Sequence, residues 1–192
     1  MTSSIKPWEE IFGWFSYPFL YEKAIKEFEN NSIFVEVGCF MGKSTSCMAY
    51  LIKESGKNID FYAIDNWEGS EEHQEHYSDK NLWEIFEQNM VKYNLTEYIK
   101  PIKMNSIDAS KLFPDESIDF LHLDASHDYE NVMKDLKAWF PKIKKGGVIS
   151  GDDFDIKAWA GVVHAVADFF EGNEVLIERK PGEAGNLWIY FK

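Results

Sequence analysis

The sequence is short of the features that mark several classes of protein. Of its 192 residues only two are cysteine, six proline and twelve glycine. No apolar run approaches the roughly 20 residues that a membrane span needs, and the start of the chain lacks the cationic and hydrophobic regions of an export signal. Low glycine and proline content excludes a collagenous or low-complexity chain, and two cysteines exclude a disulfide scaffold. A globular cytoplasmic protein is therefore expected.

Positive charge is also scarce. The chain has 20 lysines and arginines against 33 aspartates and glutamates, a formal net charge of −13. A field of this sign repels phosphate backbones and anionic lipid surfaces, so neither nucleic acid nor a membrane is expected as a partner. Apolar residues still make up 45% of the sequence, enough to build a packed core. A single domain over residues 1–192 is expected, with a helical lead-in in residues 1–30.

Short apolar runs alternate with longer amphipathic ones, which is the pattern of parallel strands joined by crossover helices. The fold class is therefore predicted to be α/β, with a mostly parallel sheet of seven strands that ends in an antiparallel C-terminal hairpin. Strands are predicted at Ile33–Val37, Asp60–Ile64, Ile99–Met104, Ile118–Leu123 and Gly147–Ser150, and in the hairpin at Glu174–Arg179 and Leu187–Phe191. Helices are predicted at Gly42–Ser55, Leu82–Tyr93, Tyr129–Phe140 and Gly161–Phe170, with Trp8–Phe28 as the lead-in.

The longest segment without a clear periodicity is Asn66–Asp79. It is polar and contains Trp67, His73, His76 and Tyr77. Long irregular segments in compact domains are commonly lids or binding loops, so this segment is predicted to border a ligand site.

A glycine-rich turn follows the first predicted strand, at the edge of the sheet where ligands of open α/β folds bind. Gly38 and Gly42 bracket this turn, and Glu36 stands two residues before it. A nicotinamide dinucleotide site needs G-x-G-x-x-G, whereas this turn has G-x-x-x-G, so a dinucleotide is disfavoured. Asp65 ends the second strand, where a carboxylate can accept hydrogen bonds from both hydroxyls of a ribose. The pattern favours a nucleoside without a phosphate cradle.

The same turn also contains Gly42-Lys43-Ser44, which allows a P-loop hypothesis in which Asp124 binds magnesium. A P-loop has four residues between its glycines and this turn has three, so its ring of backbone N–H donors is one short. A nucleotide hydrolase therefore remains the runner-up.

Ribose without a phosphate cradle points to S-adenosylmethionine, and the residues resemble a class I S-adenosylmethionine-dependent methyltransferase. The run Glu36–Gly42 is similar to its glycine-rich first motif, Asp65 to its ribose acid, and Asn105–Asp108 to its adenine-contacting segment. The resemblance implies a Rossmann-like three-layer sandwich with a cofactor-binding core in residues 31–192. It implies that the cofactor is bound by Glu36, Gly38, Gly42, Ser44, Asp65, Ser106 and Asp124.

Three acids follow the fourth and fifth strands: Asp124, Asp152 and Asp153. Like charges at one site are unfavourable unless a proton or a cation compensates them, and oxygen ligands in this number suit Mg²⁺ or a similar divalent ion. The alternative is that Asp152 and Asp153 only cap the next helix.

This arrangement is similar to that of small metal-dependent O-methyltransferases of the catechol and macrocin types. The resemblance implies that the three acids hold the ion, which lowers the pKa of a hydroxyl on a small acceptor, a sugar or a phenol-like molecule. The hydroxyl oxygen would then attack the cofactor's methyl group. This chain has Ser126 where the macrocin type has an acid.

His127 is the expected catalytic base, because it follows Asp124 by three residues and an unperturbed imidazole has a pKa near 6.5. The alternative is a histidine at a helix start that orients a carboxylate. His122 lies within an apolar strand and is predicted to be a core histidine or a support for a ligand residue. A non-catalytic module that binds S-adenosylmethionine also remains an alternative, and the sequence leaves a homo-oligomer open.

Overall fold

The computed structural model describes residues 5–69, 77, 81–179 and 186–192. In these residues the strands are β1 Ile33–Val37, β2 Asp60–Asp65, β3 Lys100–Lys103, β4 Ile118–Leu123, β5 Ile143–Gly151, β6 Leu176–Arg179 and β7 Asn186–Phe191. The helices are α1 Pro7–Glu10, α2 Pro18–Glu27, α3 Lys43–Ser55, α4 Leu82–Lys92, α5 Ser106–Ser110, α6 Tyr129–Trp139 and α7 Ala160–Phe169. No helix in this described part of the chain is both long and apolar enough to cross a bilayer.

All seven strands form one sheet in the order β3-β2-β1-β4-β5-β7-β6. β1 to β5 run parallel, and β7 pairs antiparallel with β5 and with β6. The strand order reverses at β1, which pairs with β2 on one side and with β4 on the other. A crevice opens at such a switch point, beyond the carboxyl ends of the strands. The predicted fold class, an α/β Rossmann-like sandwich with an antiparallel C-terminal hairpin, is confirmed.

Both faces of the sheet are covered, which explains why the central strands are almost continuously apolar. Phe34 and Phe120 face a layer built from α1 to α4, and Val35 and Leu121 face a layer that includes α6 and α7. All four side chains are at most 2% exposed. Alternate residues of each strand therefore belong to different cores, and the result is three layers.

Several predicted strand bounds are wrong. β6 begins at Leu176 rather than Glu174, and β2 and β7 are each one residue longer than predicted. β5 begins at Ile143 rather than Gly147, because the backbone pairs with β4 through a register shift in spite of two lysines and two glycines. Lys144 is held there by both carboxylate oxygens of Asp119, at 2.9 and 2.8 Å. β3 is shorter than predicted, since only Lys100–Lys103 pairs with β2. The predicted hairpin turn lies in residues 180–185, outside the described residues.

The lead-in is two helices rather than one. An extended stretch separates α1 from α2, and α2 begins at Pro18, which cannot continue a helix from residues before it. Tyr17 and Tyr21 are 0% exposed and pack beside β4, with the Tyr17 ring 5.0 Å from the His122 ring. The lead-in is therefore part of the core.

Candidate functional site

A cleft of about 1370 Å³ opens at the carboxyl ends of β1, β2, β4 and β5. This volume exceeds the roughly 300–1,000 Å³ of a site for one small molecule, so the cleft has room for two ligands side by side. Its lining includes the cofactor residues predicted from the sequence except Glu36 and Gly42, namely Gly38, Ser44, Asp65, Ser106 and Asp124. The catalytic prediction His127 and the predicted metal ligands Asp152 and Asp153 also line it. In the predicted lid, residues 70–76, 78 and 79 lie outside the described residues.

Gly38 joins the ends of two neighbouring strands. Its φ is +92°, and a Cβ at this position would lie 2.0 Å from the Asp124 carbonyl oxygen. Hydrogen bonds fix the backbone here towards both neighbouring strands. Gly38 N–H donates to the Ile64 carbonyl of β2 at 2.9 Å, and Asp124 N–H, just after β4, donates to the Val37 carbonyl at 2.8 Å. Close approach of β1 to β4 therefore requires glycine here.

The Asp65 carboxylate forms hydrogen bonds with the backbone of the glycine-rich turn. Its Oδ2 accepts hydrogen bonds from the N–H groups of Cys39 and Phe40, both at 2.8 Å, and its Oδ1 accepts from Trp67 N–H at 2.7 Å. Three of about four lone-pair positions on the carboxylate are thus occupied. Capacity remains for one ribose hydroxyl, on Oδ1, rather than for the two that the sequence predicts.

The same bonds bear on the P-loop hypothesis. A phosphate cradle needs free backbone N–H groups that converge on one point. Here two of them, from Cys39 and Phe40, already donate to a carboxylate, and Gly42 N–H donates to the Cys39 carbonyl at 2.7 Å. Three N–H groups of the turn are therefore not available to a phosphate, which weakens the P-loop hypothesis.

Glu36 and Gly42 are not part of the cleft lining and contact the core next to the turn. Glu36 is 1% exposed and accepts hydrogen bonds from the Tyr21 hydroxyl at 2.9 Å and the Thr45 hydroxyl at 2.5 Å. Burial raises the pKa of Glu36, and these hydrogen bonds oppose the rise. Gly42 faces α4, since a Cβ there would meet Met90 Cε at 2.6 Å. Direct contact of either residue with a ligand stays a prediction.

The predicted adenine segment contacts a buried carboxylate on α6, Asp135, that the sequence analysis missed. Ser106 Oγ donates to Asp135 Oδ1 at 2.5 Å and accepts from Trp139 Nε1 at 2.8 Å. Asp135 is 7% exposed, lines the cleft and has its pKa raised to about 6 by burial. The available signal was an acid on the apolar face of α6, beside Leu136 and near Val132.

An acidic cluster lies at the other end of the cleft. Asp124, His127 and Asp153 each offer one ligand atom, and these atoms lie within 4.8 Å of one another. His127 Nε2 is 2.9 Å from Asp153 Oδ2, and its ring centroid lies 4.0 Å from that of Trp159. Two carboxylates and an imidazole form a donor set that fits a divalent cation.

Asp152 lies beside this cluster with a different orientation. It is 8% exposed, and its Oδ1 accepts a hydrogen bond from Asp153 N–H at 2.6 Å. Burial, followed by the charges of Asp152 and Asp153, raises the pKa of Asp124 well above its ordinary range. The helix-cap alternative fails, because α7 begins at Ala160 and Trp159 precedes it without a side-chain cap.

A chain of buried hydrogen bonds leads from Asp124 into the core. The Tyr17 hydroxyl donates to Asp124 Oδ2 at 3.1 Å and lies 3.0 Å from His122 Nε2. His122 Nδ1 lies 3.0 Å from Ser150 Oγ, which is also 3.1 Å from the Leu121 carbonyl oxygen. Burial and then the charge of Asp124 raise the pKa of Tyr17 well above its ordinary range, so the phenol keeps its proton. Tyr17 was not singled out from the sequence, because 107 residues separate it from Asp124.

Comparison with curated proteins finds two relatives of unassigned function. The chain is 24% identical over 123 residues to uncharacterized protein y4gI of Sinorhizobium fredii, a match over 64% of this chain and 13% of that protein. It is 29% identical over 150 residues to uncharacterized protein R132 of Acanthamoeba polyphaga mimivirus, over 73% of this chain and 60% of that protein. The chain thus spans less than two thirds of either relative.

Several solved structures share the fold at low sequence identity. Cofactor-bound Rv0187 from MTB has a TM-score of 0.69 and 13% identity, over 96% of this chain and 85% of that one. The O-methyltransferase NovP has a TM-score of 0.66 and 17% identity, over 92% and 80%. A putative rRNA-methylase from Clostridium thermocellum has a TM-score of 0.67 and 14% identity, over 95% and 100%. Identities this low show the fold alone.

A family model described as a methyltransferase domain matches residues 35–154. The match begins in β1, includes the glycine-rich turn and Asp65, and ends just after the acidic cluster. It covers 120 of the 192 residues, more than half of the chain. The chain therefore belongs to the methyltransferase domain family.

Proposed function

We propose that this protein transfers a methyl group from S-adenosylmethionine to a hydroxyl of a small acceptor, with the help of a divalent ion. The observation that carries the proposal is that one cleft contains both the turn held by Asp65 and the cluster of Asp124, His127 and Asp153. The first suits a nucleoside, and the second suits an ion that binds the acceptor. A volume of about 1370 Å³ allows both ligands at once.

The cofactor would lie across the ends of β1, β2 and β3. Asp65 offers its remaining lone pair to a ribose hydroxyl, and Ser106 stands beside the adenine. Gly38 and Ser44 let the methionine part approach the backbone, with Asp124 next to its amino group. Two structures that share the fold support a cofactor of this class, since Rv0187 is described as cofactor-bound and SMU.1697c from Streptococcus mutans as a complex with SAH.

The ion would be held by Asp124 and Asp153, with His127 and Asp152 beside them. Burial and, after it, the charges of Asp152 and Asp153 raise the pKa of Asp124, and a cation would offset both effects by stabilising the carboxylates. Such an ion, Mg²⁺ or a similar divalent cation, would lower the pKa of an acceptor hydroxyl and orient it. The carboxylates would fix the ion at the end of the cleft away from Asp65.

His127 is the proposed base for the acceptor's proton. Its Nε2 lies 2.9 Å from Asp153 Oδ2, a carboxylate that would stabilise the imidazolium formed on proton transfer. Packing of Trp159 against the ring at 4.0 Å restricts its orientation. The same position also suits a ligand of the ion. Turnover and Mn²⁺ affinity of a His127→Ala variant distinguish the two roles.

The acceptor is proposed to be a small hydroxylated molecule, a sugar or a phenol. Trp14, Phe40 and Tyr77 line the mouth of the cleft, and Trp14 is 59% exposed, so flat or ring-shaped molecules have surfaces to pack on. RNA is disfavoured, because six carboxylates in the cleft and a net charge of −13 repel a phosphate backbone. Two free, buried cysteines fit a reducing compartment, and we propose the cytoplasm.

Two measurements test this function. Titration calorimetry with S-adenosylhomocysteine, with and without Mn²⁺, measures cofactor and ion binding separately. Radiolabelled methyl transfer from S-adenosylmethionine to panels of phenols and sugars, before and after chelation, measures turnover. We expect binding and ion-dependent methylation. Cofactor binding without turnover would favour a non-catalytic module, and turnover that survives chelation would remove the ion from the mechanism.

A further inference from the structure

The extended stretch between α1 and α2 places the Tyr17 hydroxyl beside the proposed metal ligand Asp124. Tyr17 stands immediately before α2, and its ring lies 4.6 Å from Phe15 and 5.8 Å from Tyr21. Tyr17 and His122 are both 0% exposed. Since these rings leave the side chain no room to rotate, the position of the Tyr17 oxygen is fixed by the core rather than by the cleft.

A network of buried hydrogen bonds joins the Tyr17 hydroxyl to the sheet. The hydroxyl donates to Asp124 Oδ2, and its oxygen lies 3.0 Å from His122 Nε2 in β4. His122 Nδ1 lies 3.0 Å from Ser150 Oγ in β5, and the Ser150 hydroxyl donates to the Leu121 carbonyl oxygen at 3.1 Å. The Tyr17 oxygen is therefore tied through His122 to both central strands beside the cleft.

The Asp124 carboxylate is held in the core and also faces the cleft. Tyr17 binds its Oδ2, and Asp124 lines the cleft. Asp124 also offers one ligand atom to the cluster with His127 and Asp153, in which the three ligand atoms lie within 4.8 Å of one another. The same carboxylate is therefore anchored by the core and presented to a ligand in the cleft.

We propose that Tyr17 is a positioning residue of the ion site, because its hydroxyl, fixed by the core and by His122, holds the Asp124 carboxylate in its orientation towards the cleft. The inference rests on the proposed function, since it assumes that Asp124 binds a divalent ion. It makes the lead-in a functional part of the site rather than a cover for the sheet. Partners that orient metal ligands typically contribute 10–100-fold to metal affinity.

The test replaces Tyr17→Phe and uses Tyr21→Phe as a matched control. Both variants remove one buried hydroxyl that donates to a carboxylate, but Tyr21 donates to Glu36 rather than Asp124. The aromatic ring and its packing remain in both, so both should fold. Affinity for Mn²⁺ is measured by electron paramagnetic resonance, affinity for S-adenosylhomocysteine by calorimetry, and folding by thermal unfolding.

Tyr17→Phe should weaken Mn²⁺ binding by about 10–100-fold and leave the affinity for S-adenosylhomocysteine within about threefold of the wild type. Tyr21→Phe should leave Mn²⁺ binding within about threefold while lowering thermal stability to a similar extent. Unchanged Mn²⁺ affinity in Tyr17→Phe, or equal losses in both variants, would overturn the inference. Failure of the wild-type protein to bind Mn²⁺ would instead remove the ion site itself, and the inference with it.

Discussion

The substitution Asp135→Asn removes a titrating carboxyl from the protein interior and replaces it with an amide of the same shape. The Asp135 carboxyl is 7% exposed and is hydrogen-bonded by Ser106, and burial raises its pKa from 3.8 to about 6. In the unfolded chain the carboxyl returns to its ordinary pKa. The folded state therefore holds the proton more tightly than the unfolded state, and stability depends on pH through this one side chain.

The sign and the size of the effect follow from the two pKa values. Below about pH 4 both states are protonated, and the stabilising contribution is complete. As the pH rises through about 6 the folded protein must also lose the proton, and the contribution disappears. A pKa difference of this size corresponds to about 3 kcal/mol. Stability relative to the asparagine variant should fall by about this amount between pH 4 and pH 7.5.

Urea denaturation of both proteins at several pH values, followed by tryptophan fluorescence, measures this difference. Titrating groups common to both proteins cancel in the comparison. Asp128→Asn is a control on the same helix with the opposite sign. Burial raises the pKa of Asp128, but hydrogen bonds from Asn131 and Ser126 outweigh it and keep the pKa below its ordinary value. Its stabilising contribution is therefore present at neutral pH and is lost as the pH falls.

A stability difference between wild type and Asp135→Asn that stays constant within about 0.5 kcal/mol from pH 4 to pH 7.5 would refute the reasoning. It would mean that water reaches the Asp135 carboxyl in the folded protein. Ser106 and Asp135 both line the cleft. The affinity of the wild type for S-adenosylhomocysteine, measured across the same pH range, then shows whether protonation of this carboxyl also affects ligand binding.

Three further substitutions test the site. Gly38→Ala should cost about 4 kcal/mol or more in urea denaturation, because its Cβ meets the Asp124 carbonyl oxygen, whereas Gly146→Ala, with open space around it, should cost only about 1–3 kcal/mol; equal losses would contradict this. Asp65→Ala should weaken S-adenosylhomocysteine binding about tenfold or more and lower thermal stability, and unchanged affinity in a folded variant would exclude Asp65 from the ribose site. His127→Ala should reduce turnover about 100-fold with Mn²⁺ affinity nearly unchanged, while lost Mn²⁺ affinity with normal turnover at saturating ion would make His127 a ligand.

The sequence predicts the sheet well because burial on both faces leaves a direct trace in the chain. β1 and β4 have the same bounds as predicted, since strands covered on two sides are mostly apolar. The beginning of β5 was missed for the converse reason. Lys144 and Gly146 resemble a loop, but their backbone still hydrogen-bonds within the sheet, and side-chain type does not report that pairing.

The amino-acid sequence by itself determined which chemical groups follow each strand, and parallel strands bring those groups to one edge, so Asp65, Asp124 and Asp153 were found. Only the tertiary structure decided how each group is used. It committed three lone pairs of Asp65 to backbone N–H groups, and it gave one oxygen of Asp152 to the backbone N–H of Asp153. It also brought Tyr17 to Asp124 across 107 residues. Strand order and helical spacing are local properties of a sequence, whereas the direction in which a side chain points depends on packing against residues distant in the chain.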